Sequence, residues 1–262
     1  MLGKLFKYDL KEMGTYYIPL YIIYAGIAAA FSILMAIALH SDLLADNTLF
    51  SLIFGIISIA FVLAIASLLI LSGLIVIYYF YRKFVSQEAY LTMTLPVRPW
   101  QHIVSKLLSG AVWQLLSWLV FIISLLCALF ASGGINTLFG NSMFWGQLGL
   151  LWTELCNEIG LHIGSAALFI IYIVLSLLTS PLVYFASISI GQMSNKNKVL
   201  WSVISFVGIN IVISLFTAGS SVQLSVDNLT QFLMISMVQL IVTSAVFFAI
   251  TLYSLSKRLN LE

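Results

Sequence analysis

Residues 86–106 read SQEAYLTMTLPVRPWQHIVSK. They hold two of the chain's four prolines and one of its three histidines, and they sit between two long apolar runs. The residue order predicts a short helix, a tight turn and the start of a second, longer helix. Ser86 can cap the short helix, and Glu88 falls in its first turn, where the helix dipole favours an acid. Leu91 and Leu95 share one face, as do Tyr90 and Met93. Pro96 stops the helix and biases Leu95 towards an extended backbone. Pro99 is suited to the first turn of the next helix. Trp100 fits a membrane interface, to which Lys106 can snorkel back. The result is a rigid polar knob held close to a membrane surface.

The rest of the chain makes that surface a membrane. Of 262 residues, 62% are hydrophobic and 8% are charged, whereas a soluble domain carries about a quarter charged residues. Six apolar segments are legible, at about 17–39, 51–80, 103–131, 161–190, 200–218 and 231–256. A helix of about 20 residues crosses a hydrocarbon core of about 30 Å. The second and fourth segments run to about 30 residues, or about 45 Å of helix, so they must tilt, kink or project into water. Pro181 offers a kink in the fourth. A rival reading makes part of 51–80 a re-entrant piece, although no turn signal interrupts that run. The expected fold is therefore an all-α polytopic membrane protein, a single transmembrane domain over 1–262 with six spans.

Lysine and arginine set the orientation. Lys4, Lys7 and Lys11 precede the first span. Arg82, Lys83, Arg98 and Lys106 flank the connection between the second and third. Lys196 and Lys198 lie between the fourth and fifth, and Lys257 and Arg258 follow the sixth. These are all eleven basic residues of the chain, and with six spans they fall on one side. The opposite loops, about 40–50, 132–160 and 219–230, contain none; random placement would give this about once in a thousand. Both termini and residues 86–106 are thus expected on the cytoplasmic face of the cell membrane. Of the acids, Asp42, Asp46, Glu154, Glu158 and Asp227 fall outside, Asp9, Glu12, Glu88 and Glu262 inside, and none at the centre of a span.

Several chemistries lack their residues. Ion-coupled transporters place ionisable side chains within the membrane, but these spans offer Ser, Thr, Asn and Gln, such as Asn210 and Gln239, whose ordinary role is hydrogen bonding between helices. His40, His102 and His162 are isolated, no H-E-x-x-H helix occurs, and no motif pairs a buried Ser with a His. Catalytic, metal and cofactor residues are therefore not expected, and neither is an enzyme. Cys127 and Cys156 form neither a zinc nor a redox motif. The pattern G-x-x-x-x-G-K-[ST] is missing, so any ATP hydrolysis belongs to another chain. The start MLGKLFKYDLKEMG is too charged for a signal peptide. The sequon at Asn228 matters only in a glycosylating host.

Two amphipathic stretches border the spans. In residues 1–14, Leu2, Leu5, Phe6 and Leu10 follow helical spacing while Lys4, Lys7, Lys11 and Glu12 take other faces. This predicts an elbow helix lying on the inner leaflet with its lysines against anionic lipid, either as a plain anchor or as a contact for a cytoplasmic partner. In the outer loop 132–160, Phe144, Leu148, Leu151, Trp152, Leu155 and Ile159 form one stripe, and Trp145 and Trp152 suit an interface belt. A helix over 144–159 is expected on the outer surface, as a simple surface helix or as a lid.

The segment YRKFVSQEAYLTMTLPVRPWQHIVSKLLSG, residues 81–110, resembles the type-2 family of ABC-transporter permeases, whose bacterial members often show Glu-x-Tyr-Leu, Thr-Leu-Pro and then Ser-Lys-Leu opening the third span. The matching positions are Glu88, Tyr90, Leu91, Thr94, Leu95, Pro96, Ser105, Lys106 and Leu107. The start LFKYDLK, with Lys7, Tyr8 and Lys11, and YIPLY, with Pro19, also look like such permeases. The motifs cover about forty residues, and the six-span layout agrees along the whole chain. The resemblance implies a coupling helix between the second and third spans, Ser86 to Pro96, that docks on a separate cytoplasmic ATPase, where ATP and Mg bind. It also implies two permease chains, identical or related, and two ATPases per transporter. This chain would then be the permease subunit of an exporter working by alternating access, with apolar or amphipathic cargo suggested by spans poor in polar groups. A different reading keeps the knob as a docking site but makes the chain a non-transporting scaffold or assembly factor. Neither nucleic acid nor a bound cofactor is expected.

Overall fold

In the computed structural model, six long helices follow one another among the described residues: α1 Leu2–His40, α2 Thr48–Phe84, α3 Pro99–Ala131, α4 Ile163–Gln192, α5 Lys198–Ser221 and α6 Leu229–Lys257. The residues described are 2–40, 48–84, 97–131, 146, 149, 150, 153, 163–194, 197–221 and 229–257, and no strand occurs among them. All six helices are long and apolar enough to cross a membrane, as a multi-pass membrane protein requires. Each expected span coincides with one of them. The 51–80 run is one continuous helix, so the re-entrant alternative is not observed. Pro181 lies inside α4, which continues past it.

The helices overrun the expected spans, most of all at α1. Its 39 residues make about 58 Å, against a core of about 30 Å. The expected break between an elbow helix over 1–14 and a span from residue 17 is not observed. One buried stripe explains the continuity: Asp9, Met13, Tyr17, Tyr24 and Ala28 recur at helical spacing and are all buried, so packing holds the same period through the junction. Pro19 deprives the Thr15 carbonyl of its intrahelical partner, yet the helix runs on. At the other end of the quoted segment, α3 begins at Pro99 as expected. The Arg98 amide donates to the Gln101 side chain at 3.3 Å, the back half of a capping box with Arg98 in the capping position.

The chain divides into two compact units, both drawing on α1, α2 and α3: one of residues 12–75 and 113–152, the other of 1–11, 76–112 and 153–262. In the first, Tyr24, Ala28, Phe61, Ala64 and Leu68 form a buried core. Phe31 stacks on Phe61 at 4.4 Å between centroids, and Tyr17 stacks on Trp113 at 5.0 Å. Three tyrosine hydroxyls on α1 reach the neighbouring helices: Tyr17 donates to the Ser72 carbonyl, Tyr21 to the Trp113 carbonyl, and Tyr24 pairs with Ser124. Burying the rings removes apolar area, and the hydroxyl bonds then fix rotation and register of α1.

In the second unit, α4 packs against α5 and α6. Gly191 permits the closest approach: a Cβ there would lie 2.6 Å from the Ser202 amide nitrogen and 2.7 Å from its Cα. Asn197, at the start of α5, adopts a left-handed backbone with φ 55°, which Asn tolerates better than most side chains. On α6, the Ser254 hydroxyl donates to the Ser189 carbonyl of α4 at 3.0 Å. Gln239 of α6 donates to Thr217 of α5 at 2.7 Å, the expected interhelical role. Asn210 instead donates to the Phe206 carbonyl of its own helix.

Candidate functional site

Residues 85–98 join the last turn of α2 to the first turn of α3, and three charged or polar side chains meet at those two helix ends. Tyr79 is one turn before the end of α2, and its hydroxyl donates to Asp9 Oδ1 at 2.8 Å. Ser105, on the second turn of α3, donates to Asp9 Oδ2 at 2.5 Å. Lys106, beside it, places Nζ 3.5 Å from Asp9 Oδ1. One carboxylate on α1 therefore contacts both helices that flank 85–98.

The cluster is dry. The side chains of Lys106 and Asp9 are 2% and 8% exposed. Aromatic rings roof the ammonium, which lies 5.0 Å from the Phe84 centroid and 5.9 Å from that of Tyr79. Phe84 in turn packs on Phe80 at 4.7 Å, and Phe80 stacks on Phe185 of α4 at 4.0 Å. In such surroundings Coulomb attraction and hydrogen bonds are much stronger than in water, and so is the cost of leaving one partner unmatched.

Helical spacing assembles these groups. His102, Ser105, Lys106 and Ser109 occupy positions three and four apart on α3, and all are buried. Ser109 donates to the Ser105 carbonyl, while the edge of His102 meets Phe84 at 6.4 Å between centroids. Among the described residues, neither ring nitrogen of His102 has a hydrogen-bond partner. Val76, Phe80 and Phe84, with Tyr79, give α2 its buried face, and Gly110 lets α3 approach Val76 closely.

The expectation that Lys106 snorkels to an interface is overturned. An ammonium reaches for water when water is the best acceptor within range, and here the Asp9 carboxylate is nearer and buried. Asp9 and Tyr79 were not singled out from sequence at all. A signal existed for Asp9, because it is in register with Met13 and Tyr17 on the apolar stripe rather than with the lysines.

Lys4, Lys7, Tyr8 and Lys11 are all exposed, Tyr8 to 70%, and none joins the cluster. The expected coupling residues Ser86, Glu88, Tyr90, Leu91, Thr94, Leu95 and Pro96 lie outside the described residues. So does most of the expected outer helix 144–159, of which residues 146, 149, 150 and 153 are described as helical. Among the described residues, no group of three or more His, Cys, Asp or Glu could hold a metal.

No protein-family model, curated protein or solved structure matches the chain. What its fold and site define is a class: a multi-pass type of chain whose described residues include six helices long and apolar enough to cross a membrane, with a buried ionic cluster where α1, α2 and α3 meet.

Proposed function

We propose that the chain is the permease subunit of an ATP-driven ABC exporter in the cell membrane, with both termini and residues 85–98 on the cytoplasmic side. Residues Ser86 to Pro96 form its coupling segment, with Glu88, Tyr90 and Leu91 as the contacts to a cytoplasmic ATPase. Two permease chains and two ATPase subunits make the transporter, and ATP with Mg binds in the ATPase. The cargo is apolar or amphipathic, in keeping with spans that carry few polar groups.

One observation supports this reading above the others. Both helices that flank 85–98 are fixed at their ends by the buried contacts of Asp9, Tyr79, Ser105 and Lys106, and the Phe80–Phe185 stack extends the packing to α4. A push on the segment then moves helices rather than bending a loose loop, which is what an externally powered permease needs.

Affinity purification from native membranes tests the assignment. An ATPase bearing a phosphate-binding loop is expected to co-purify. Recovery with no such subunit would remove the permease reading and favour the scaffold. In a complex that does form, Glu88→Ala/Tyr90→Ala/Leu91→Ala is expected to hydrolyse ATP without transport while inserting normally. Unchanged coupling in that variant would overturn the role given to the segment.

A further inference from the structure

We infer that Asp9 is a positioning residue: it makes the first turns of α1 move as one body with the ends of α2 and α3 that carry residues 85–98. Its functional consequence rests on the permease reading; its geometry does not.

A carboxylate that needed only neutralising could be served by Lys106 alone. Asp9 instead distributes its two oxygens over two helices, Oδ1 to Tyr79 of α2 and Oδ2 to Ser105 of α3, with Lys106 adding charge from the same α3 turn. Two hydrogen bonds and an ion pair, from two elements, fix an angle as well as a distance. Burial makes these bonds directional constraints, because no water competes for them. Lys4, Lys7 and Lys11 lie exposed on the same stretch of α1, yet the acid is turned away from them and inward. Apolar residues of the same volume could hold the helix ends together as firmly. What the hydrogen-bonded set adds is one register of α1 against both flanking helices. The division of the chain matches this: residues 1–11, 76–112 and 153–262 form one compact unit. A displacement of 85–98 therefore reaches α1 directly, through Asp9, as well as α2 and α3.

The test uses the complete permease–ATPase complex in lipid nanodiscs, with Cys127→Ala and Cys156→Ala as background. Spin labels on Ile37→Cys and Leu126→Cys, both exposed positions, report the α1–α3 distance distribution with and without ATP and vanadate. Hydrogen exchange of residues 2–11, 76–84 and 99–112 is read on the same samples. Asp9→Leu/Lys106→Met removes both charges and every side-chain bond made by residue 9 without leaving an unmatched ion. It is expected to fold and to hydrolyse ATP, to lose the ATP-driven distance shift about fivefold or more, and to exchange about tenfold faster over 2–11. Asp9→Glu keeps the charge and is expected to retain a shift. If the neutral pair does not fold, Tyr79→Phe/Ser105→Ala, which keeps the ion pair and nearly all the volume, is read in its place with the same expectations. A folded variant that shifts as the native complex does, or that exchanges no faster over 2–11, overturns the inference. If the native complex hydrolyses ATP but shows no shift, the permease reading is what fails, and the exchange measurement alone decides whether Asp9 ties the three helices.

Discussion

Trp113 lies flat against Tyr17, with ring centroids 5.0 Å apart and planes 10° from parallel, and the same indole closes over Gly14. A Cβ on residue 14 would come within 2.9 Å of Trp113 Cζ2, closer than packed carbons tolerate. Gly14→Ala must therefore push the indole off Tyr17. Overpacking of this kind costs about 1–3 kcal/mol, to be read as a lower melting temperature in detergent. Adding Trp113→Phe to Gly14→Ala is expected to recover part of the loss, because the smaller ring vacates the contact. A Gly14→Ala protein as stable as the native chain would show that the indole has somewhere else to go.

The Asp9–Lys106 pair makes a second prediction, about stability rather than transmission. Lys106→Met leaves a buried carboxylate without its cation, and Asp9→Leu leaves a buried ammonium without its anion. Each is expected to cost about 3–5 kcal/mol. The double variant buries neither charge, so it is expected to recover most of that loss. A double-mutant cycle by thermal unfolding measures this. Strict additivity of the two single losses would show that the two charges do not interact.

The contrast between these two regions explains what could be read from sequence. The six helices were legible because each is a long apolar run, and that signal is local. The start of α3 was legible because Pro99 and the preceding residues act on their own backbone. The ionic cluster was not, because Asp9, Tyr79 and Ser105 are separated by 70 and 96 residues. Taken singly, Asp9 reads as one charge in a basic terminal stretch and Lys106 as an interface anchor. Helix pairing alone reveals that they share a site. The continuity of α1 is hidden in the sequence for a related reason. The change in composition near residue 15 marks a change of surroundings, from polar to apolar, and not a change of structure.

Tyr24 and Ser124 pair their hydroxyls at 2.5 Å between α1 and α3, both buried. Such interhelical bonds in membrane proteins contribute about 0.6 kcal/mol on average and up to about 2. Tyr24→Phe keeps the ring and its packing but removes this bond. It is expected to lower stability by that modest amount, and Ser124→Ala by a similar one. The double variant is expected to lose less than the sum, because each single change already breaks the same bond. Unfolding in mixed micelles, with the two single variants and the double compared, checks this. A loss above about 3 kcal/mol for Tyr24→Phe would mean that the hydroxyl does more than hold two helices in register.

His102 is 1% exposed, with its ring edge on Phe84 and neither nitrogen hydrogen-bonded. A neutral imidazole carries one donor and one acceptor, and a buried group left unmatched costs about 1–3 kcal/mol. Among the described residues nothing calls on those nitrogens: Phe84 meets the ring as an apolar surface, and Lys106, one turn along, already faces Asp9. His102→Leu removes both polar atoms and fills much of the same space. It is expected to raise the melting temperature, by an amount corresponding to about 1 kcal/mol once the lost ring contact is set against the gain. His102→Asn, which keeps polar atoms in the smaller volume, is expected to be less stable than the native chain. The order Leu above His above Asn is the expected result. If His102→Leu is instead the least stable of the three, the imidazole nitrogens are bonded in the membrane-embedded protein, and His102 belongs with Asp9, Tyr79, Ser105 and Lys106 as a further member of the polar cluster.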